Sequence, residues 1–295
     1  MVGADRGSFL GRLQLRAASL GGCLCVGLDP VVDALPDHLG RDPEAVRRYC
    51  LELIDATEEY ACAFKPNAAF FEALGPPGWA ILAEVVAAAR SKALVLLDAK
   101  RGDIGPTAEA YANAVFDQLG ADGCTVSGYL GYDSLEPFLR RPDRLAFVLC
   151  RTSNPGAGEL QDLPVGERRR PLYLEVARLA RSWSERESTP RVGLVTGATW
   201  PQEIAQIREE APGLPFLIPG VGAQGGDLDS AVAAARGGDG SGPYLLSVSR
   251  GIGGVSRGRD FAQAAAEAAR GYLRGIRSAV AASQARQVTP QTSTL

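Results

Sequence analysis

Three charged residues lie close together about one third of the way along the chain, at Asp98, Lys100 and Asp103. They follow the apolar run at residues 94–97, which predicts a strand buried on both faces, as in a parallel sheet. Charges at the end of such a strand are costly unless they pair or take part in chemistry. Parallel α/β folds place their active sites at this end of the strands. The alternative is an ordinary solvated turn, and this stretch alone favours neither interpretation.

Lys65 follows the preceding predicted strand and is a candidate fourth member of this charged group. Carboxylates near Lys100 favour its ammonium form and therefore suit it to donate a proton. A lysine that forms a Schiff base needs a lowered pKa instead, usually from burial or a neighbouring cation. The residue types therefore indicate proton donation, with a structural ion-pair network as the alternative.

Glycine-containing turns follow the last two predicted strands, at residues 222–226 and 249–251. Glycines let backbone N–H groups approach an anion closely, and Arg250 can donate two hydrogen bonds to phosphate oxygens. Barrels of alternating strands and helices commonly bind phosphate at these two positions. The pattern predicts a phosphate site, and the alternative is a pair of flexible turns with a surface arginine.

The elements that must position these groups alternate along the chain. Apolar runs predict buried strands at residues 23–28, 61–64, 94–97, 123–126, 145–150, 192–195, 215–218 and 244–248. Helical patterns separate them, so we predict a (β/α)₈ TIM barrel, an α/β fold with a single domain. The barrel, with an N-terminal extension, would cover residues 1–277, and residues 278–295 would form a flexible tail. An open doubly wound sheet is the alternative, but polar clusters at nearly every strand end favour the barrel.

The composition limits the function classes that the chain can serve. It has 295 residues, 46% of them hydrophobic and 22% charged, which predicts a sizeable core. The net charge of −3 argues against broad nucleic-acid binding, and no apolar run approaches the roughly 20 residues of a membrane span. Six scattered cysteines without a CxxC pair indicate reduced, buried thiols, and the single histidine, His38, excludes a His-rich metal site. We expect a cytoplasmic protein without nucleic-acid or membrane partners.

These segments resemble the orotidine 5′-phosphate decarboxylase family. Residues 97–111, LDAKRGDIGPTAEAY, match its DxKxxDI…T signature, and VGLDP, FKPN, RTSNPG, PGVGAQGGD and SVSRGI occur in the order of the family. The motif forms look most like the bacterial type 2 branch. The resemblance implies that the protein converts orotidine 5′-monophosphate to UMP and CO₂, the last step of de novo pyrimidine biosynthesis. It also implies that no metal and no organic cofactor are needed.

The resemblance implies a role for each matching residue around the reacting base. Lys100 would donate the proton to the pyrimidine carbon that loses CO₂. Asp98 would lie beside the departing carboxylate and help to keep Lys100 charged. Lys65 and Asp29 would contact the ribose, and Ser153 would hydrogen-bond the amide edge of the pyrimidine.

The resemblance also implies the phosphate contacts. Gln224 and Arg250 would hold the phosphate, and backbone N–H groups near Gly225 and Gly251 would donate further hydrogen bonds to it. The long loop after Ser153 and the loop around Gln224 are candidate lids, because binding a remote phosphate can drive loop closure.

Three further residues of the signature, Asp103, Ile104 and Thr107, would reach into the site of a partner subunit. The resemblance therefore implies a homodimer with active sites shared across the interface. Two alternatives remain open. A related sugar-phosphate decarboxylase, such as one acting on 3-keto-gulonate phosphate, would use the same Asp-x-Lys-x-x-Asp motif around magnesium, although FKPN and TSNPG favour a nucleotide. A non-catalytic sensor of phosphate ligands is disfavoured by Lys100 and its flanking aspartates.

Overall fold

A closed barrel of parallel strands forms the body of the protein. The computed structural model describes residues 6–186, 191–222, 227–240 and 242–288. The barrel strands are Leu24–Leu28 (β1), Ala63–Pro66 (β2), Leu94–Arg101 (β3), Gly123–Val126 (β4), Leu145–Arg151 (β5), Val192–Thr196 (β6), Phe216–Pro219 (β7) and Tyr244–Val248 (β8). Each strand pairs with its sequence neighbour, and β8 pairs with β1 to close the ring. The predicted (β/α)₈ TIM barrel is confirmed.

Helices precede the first strand, separate successive strands and follow the last one. They are Phe9–Leu20 (α1), Pro43–Thr57 (α2), Ala68–Glu72 (α3), Pro76–Arg90 (α4), Gly105–Ala112 (α5), Tyr132–Leu139 (α6), Gly158–Gln161 (α7), Leu172–Ser184 (α8), Pro201–Glu210 (α9), Leu228–Arg236 (α10), Arg250–Gly253 (α11) and Phe261–Val288 (α12). A π-helical segment, Asn113–Gln118, continues α5, and a short antiparallel ribbon pairs Pro164–Val165 with Arg170–Pro171. Proline in the first turn favours the start of α2, α4, α5 and α9, because its fixed φ suits that position. No helix of the described residues is both long and apolar enough to span a membrane.

The strands are apolar on both faces because each face packs against a different layer. The outward side chains pack under the helices. The inward side chains form a second cluster inside the barrel, which includes Leu96, Leu145, Phe147 and Leu245. Fully burying one such side chain contributes about 1.5–3 kcal/mol, so the two layers fix the barrel and the strand ends that surround its mouth.

The N-terminal helix α1 closes the end of the barrel at which the strands begin. Ser8 caps this helix by accepting a hydrogen bond from the backbone N–H of Gly11 at 3.1 Å. Phe9 and Leu13 belong to the cluster inside the barrel, and the rings of Phe9 and Phe147 meet edge to face with centroids 5.9 Å apart. The N-terminal extension therefore has a structural role as the floor of the barrel.

The last helix corrects the predicted boundary at residue 277. Helix α12 runs on to Val288, so residues 278–288 are helical and not a flexible tail. Ala279 and Ser283, one helical turn apart, are both buried, which keeps this alanine-rich stretch in a helix. The rest of the predicted tail, residues 289–295, lies outside the described residues. All six cysteines are free and five of them are buried.

Candidate active site

Asp98, at the C-terminal end of β3, lies between two lysines. Its Oδ2 accepts a hydrogen bond from Lys65 Nζ at 3.0 Å, and its Oδ1 accepts one from Lys100 Nζ at 2.6 Å. The Lys65 side chain is only 6% exposed, whereas that of Lys100 is 51% exposed. The charges therefore form a network, and the interpretation of this stretch as an ordinary solvated turn is wrong. The buried Lys65 holds the Asp98 carboxylate from inside the barrel, and the half-exposed Lys100 faces the open mouth of the barrel.

The backbone at Lys100 has a conformation that residues other than glycine rarely adopt. Its φ is +48°, in the left-handed region. A non-glycine residue held there costs about 1–3 kcal/mol and persists only where its surroundings enforce it. The pairing of β3 with β4 also shifts register between Leu97 and Arg101, which indicates a bulge. Bulges beside active sites re-aim a side chain, and this one directs the Lys100 ammonium back to Asp98.

Thr125 on β4 supports this bulge, and the sequence reasoning missed it. Its hydroxyl donates to Asp98 Oδ1 at 2.8 Å and accepts from the backbone N–H groups of Ala99 and Lys100, both at 3.0 Å. The only signal in the sequence is a hydroxyl within an apolar strand, which is too common to single out the residue.

The electrostatics of the network keep its buried members charged. Burial acts to lower the pKa of Lys65, but Asp29 and Asp98 outweigh it and raise the pKa above its usual range. Burial likewise acts to raise the pKa of Asp98, but Lys65 and Lys100 hold that pKa well below its usual range. Near neutral pH the site therefore presents a fixed anion between two ammonium groups.

Asp29 follows β1 and supplies a second carboxylate. Its Oδ1 lies 3.9 Å from Lys65 Nζ, and this buried oxygen has no hydrogen-bond partner among the described residues. Gly27 allows the loop after β8 to come near, because a Cβ at this glycine would lie 1.9 Å from Ser249 Oγ. Asp29 is therefore held next to the Arg250 loop with acceptor capacity to spare.

Two cavities of about 150 and 290 Å³ adjoin at this network and share Lys65, Asp98 and Pro219. The smaller one is mostly polar, and its lining includes Asp29, Ser249, Arg250 and Gly251. The larger one combines polar with apolar side chains, and its lining includes Lys100, Thr125, Leu149, Ser153, Val195 and Leu217. Together they form a cleft with an arginine at one end and a serine loop at the other, which suits an elongated anionic ligand.

The structure therefore brings most of the predicted site residues together in one cleft: Asp29, Lys65, Asp98, Lys100, Ser153, Arg250 and Gly251. Three others do not line it. Ile104 is 57% exposed and Thr107 is exposed, while the Asp103 carboxylate accepts a hydrogen bond from the Ile104 backbone N–H at 2.8 Å. The predicted contacts Gln224 and Gly225 lie outside the described residues.

A second network, also missed from the sequence, braces the loop that carries Ser153. Gln161 Oε1 accepts from the Thr152 backbone N–H at 2.9 Å and from the Arg151 guanidinium at 3.2 Å, while Gln161 Nε2 donates to Thr152 Oγ1 at 2.8 Å. The Arg151 guanidinium also lies over the Trp200 ring, 4.9 Å from its centroid. The long loop after Ser153 thus has a fixed attachment point at Gln161.

Comparison with known proteins identifies the family to which the barrel belongs. The model of the orotidine 5′-phosphate decarboxylase / HUMPS family matches residues 22–268. The chain belongs to this family. The match covers every predicted site residue of this family member, and it confirms the resemblance that the motifs indicated. The assignment to the type 2 branch stays a prediction.

Relatives and solved structures support the family assignment. The chain is 51% identical over 260 residues to an orotidine 5′-phosphate decarboxylase of Roseiflexus castenholzii, covering 88% of this chain and 93% of that protein. It is 47% identical over 266 residues to one of Herpetosiphon aurantiacus, covering 90% and 96%. The structure of Leishmania donovani OMP decarboxylase superimposes with a TM-score of 0.78 at 45% identity, covering 92% of this chain and 99% of that one.

Proposed function

We propose that the protein decarboxylates orotidine 5′-monophosphate to UMP and CO₂, with Lys100 as the proton donor. The observation that carries this proposal is the Lys65–Asp98–Lys100 network at the junction of the two cavities. Relatives that carry the name orotidine 5′-phosphate decarboxylase at 47–51% identity support the choice of reaction.

The cleft supports one orientation of the substrate. The phosphate lies against Arg250 and the backbone N–H of Gly251, where a bidentate guanidinium contact is available. The ribose hydroxyls donate to Asp29, whose buried oxygen has no hydrogen-bond partner among the described residues. The pyrimidine occupies the larger cavity, with its amide edge at Ser153 and the carboxylated carbon facing Lys100.

The chemistry follows from the charges of the network. When the bond to the carboxylate breaks, its electron pair stays on a ring carbon that the ring delocalises poorly. The Lys100 ammonium stabilises this developing charge without rearranging, because Asp98 already holds it in place. Lys100 then gives one proton to that carbon, and neutral CO₂ leaves. The negatively charged Asp98 repels the substrate carboxylate, and this repulsion falls when the carboxylate becomes neutral CO₂.

A magnesium-dependent reaction on a sugar phosphate is the competing proposal within the same barrel. Both oxygens of Asp98 already hold ammonium groups, at 3.0 and 2.6 Å. A metal at Asp98 would have to displace at least one of them, which disfavours this proposal. Absorbance of orotidine 5′-monophosphate should fall at the same rate with and without excess chelator. Failure to consume orotidine 5′-monophosphate, together with magnesium-dependent decarboxylation of 3-keto-gulonate phosphate, would instead favour the competing proposal.

We further propose that Asp103, Ile104 and Thr107 serve the active site of a partner subunit in a homodimer. Their position on the surface supports this, as does the exposure of the apolar residues Tyr129 and Leu130, which follow the adjacent strand β4. Inactive Lys100→Ala and Asp103→Ala chains, mixed in equal amounts and allowed to exchange, should regain about a quarter of the wild-type sites. Exchange proven by tagged chains without recovered activity would contradict shared sites.

A further inference from the structure

The bulge in β3 leaves three residues opposite a single residue of β4. The regular pairs on either side are Leu97 with Cys124 and Arg101 with Val126. Between them lie residues 98–100 on β3 and Thr125 alone on β4. Two backbone N–H groups of the bulge therefore cannot find ladder partners on β4, and a buried N–H without a partner is costly.

The Thr125 side chain takes the place of the missing ladder partners. A hydroxyl has one proton to donate and two lone pairs to accept with, and this one uses all three. It accepts from the N–H groups of Ala99 and Lys100 and donates to Asp98 Oδ1. Thr125 is only 2% exposed although its side chain borders the larger cavity, so water cannot readily replace these bonds.

These three bonds act on the two groups that determine where the Lys100 ammonium lies. The bond to the Lys100 N–H holds the backbone at its unusual φ of +48°. The bond to Asp98 fixes the same oxygen, Oδ1, that accepts from Lys100 Nζ. Without the hydroxyl, the Lys100 backbone can relax and the Asp98 carboxylate can rotate. Both changes displace the ammonium from the position from which it reaches the substrate.

We propose that Thr125 is a positioning residue for the decarboxylation, whose hydroxyl aims Lys100 through the bulge and through Asp98. This inference rests on the proposed function, because the proton must be delivered by Lys100. A misplaced ammonium stabilises the transition state less, while the contacts at Arg250 and Asp29 still bind the rest of the ligand. Removing the Thr125 hydroxyl should therefore lower kcat and leave the affinity for UMP unchanged.

The test compares Thr125→Val, which keeps the shape and removes the hydroxyl, with Thr125→Ser, which keeps the hydroxyl. Thr125→Val should lower kcat about 10- to 100-fold, as expected for losing a hydrogen bond to a charged group. Its UMP dissociation constant should stay within about twofold of wild type, because ground-state contacts are intact. Thr125→Ser should restore kcat to within about threefold of wild type. Thr125→Ala serves as a second variant without the hydroxyl, should Thr125→Val not fold.

Thr196→Val is the matched control. Thr196 is a fully buried threonine at the end of β6, and its Oγ1 has no hydrogen-bond partner among the described residues. This variant should keep the wild-type kcat. An unchanged kcat in both Thr125→Val and Thr125→Ala overturns the proposal, as does an equal loss of kcat and UMP affinity. If the wild-type chain does not consume orotidine 5′-monophosphate at all, the proposed function fails as well, so the two failures are distinguishable.

Discussion

Two aspartates at opposite ends of the barrel each lie between two cations, and they differ in what surrounds them. Asp98 ends β3 at the open mouth and holds Lys65 and Lys100. Asp122 directly precedes β4 at the floor, where its Oδ1 accepts from Arg12 at 2.6 Å and from Arg144 at 3.0 Å. The same charge pattern therefore occurs twice, once open to a cavity and once beneath a helix.

Both oxygens of the floor carboxylate are paired within the chain. Asp122 Oδ2 accepts from the Val95 backbone N–H at 2.8 Å, and the Arg12 guanidinium donates a second bond to the Asp143 carbonyl at 2.8 Å. An arginine cannot give up its proton in a protein, so this cluster can hold elements together but cannot donate a proton. It connects α1 to the strands that it covers.

The mouth cluster is left incomplete by comparison. Its cations are lysines, which can give up a proton, and the more exposed one lies on a bulge with a strained backbone. The buried Oδ1 of Asp29 has no hydrogen-bond partner among the described residues, and the Lys65 ammonium lies 3.9 Å away. The difference teaches that a charged network contributes stability where the chain pairs every carboxylate oxygen, and can bind and react where a carboxylate oxygen is left for a ligand.

The largest expected effect is at the mouth. Lys100→Ala should lower kcat for orotidine 5′-monophosphate by at least about 1000-fold, because it removes both the proton donor and the charge that stabilises the carbanion. Its thermal unfolding should change little, since half of the Lys100 side chain is exposed. The matched control is Lys92→Ala, a surface lysine paired with Glu58, which should keep full activity. Equal turnover by both variants would remove Lys100 from the mechanism.

The next largest effect is at the floor, and it should appear in stability alone. Phe9→Ala should lower the free energy of unfolding by about 3–5 kcal/mol, because it leaves a cavity inside the barrel. The kcat of the folded variant should stay near that of wild type. Leu15→Ala, at an exposed position of the same helix, is the control and should leave the stability nearly unchanged. A large loss of kcat in folded Phe9→Ala would show that the two ends are coupled.

The smallest effect concerns pH. Because the pKa of Asp98 is lower in the folded protein than in the unfolded chain, Asp98 stabilises the fold above its ordinary pKa near 3.8. This contribution is lost as the pH falls below that value towards the folded pKa. Unfolding measured between pH 2 and 5 should therefore depend more steeply on pH in wild type than in Asp98→Asn. Identical slopes would mean that the two lysines do not stabilise the Asp98 carboxylate.

The sequence alone predicted the barrel and the mouth cluster because both are local signals. Apolar runs mark the strands, and polar residues directly after a run must lie at the mouth, as Lys65 and Lys100 do. The floor cluster joins residues 110 positions apart, Arg12 and Asp122, so no local pattern predicts it. The bulge and the support by Thr125 depend on the pairing of two strands, which residue types do not specify.

The most direct test measures kcat and the free energy of unfolding for one matched pair of substitutions, Asp98→Asn and Asp122→Asn. We expect Asp98→Asn to lose kcat by about 100-fold or more, with a smaller change in stability than Asp122→Asn. Asp122→Asn should lose about 3–5 kcal/mol of stability, because two arginines are left without their anion, while the folded variant keeps its kcat. The opposite result, a stable and inactive Asp122→Asn beside an active and unstable Asp98→Asn, would contradict the division between a reactive mouth and a structural floor.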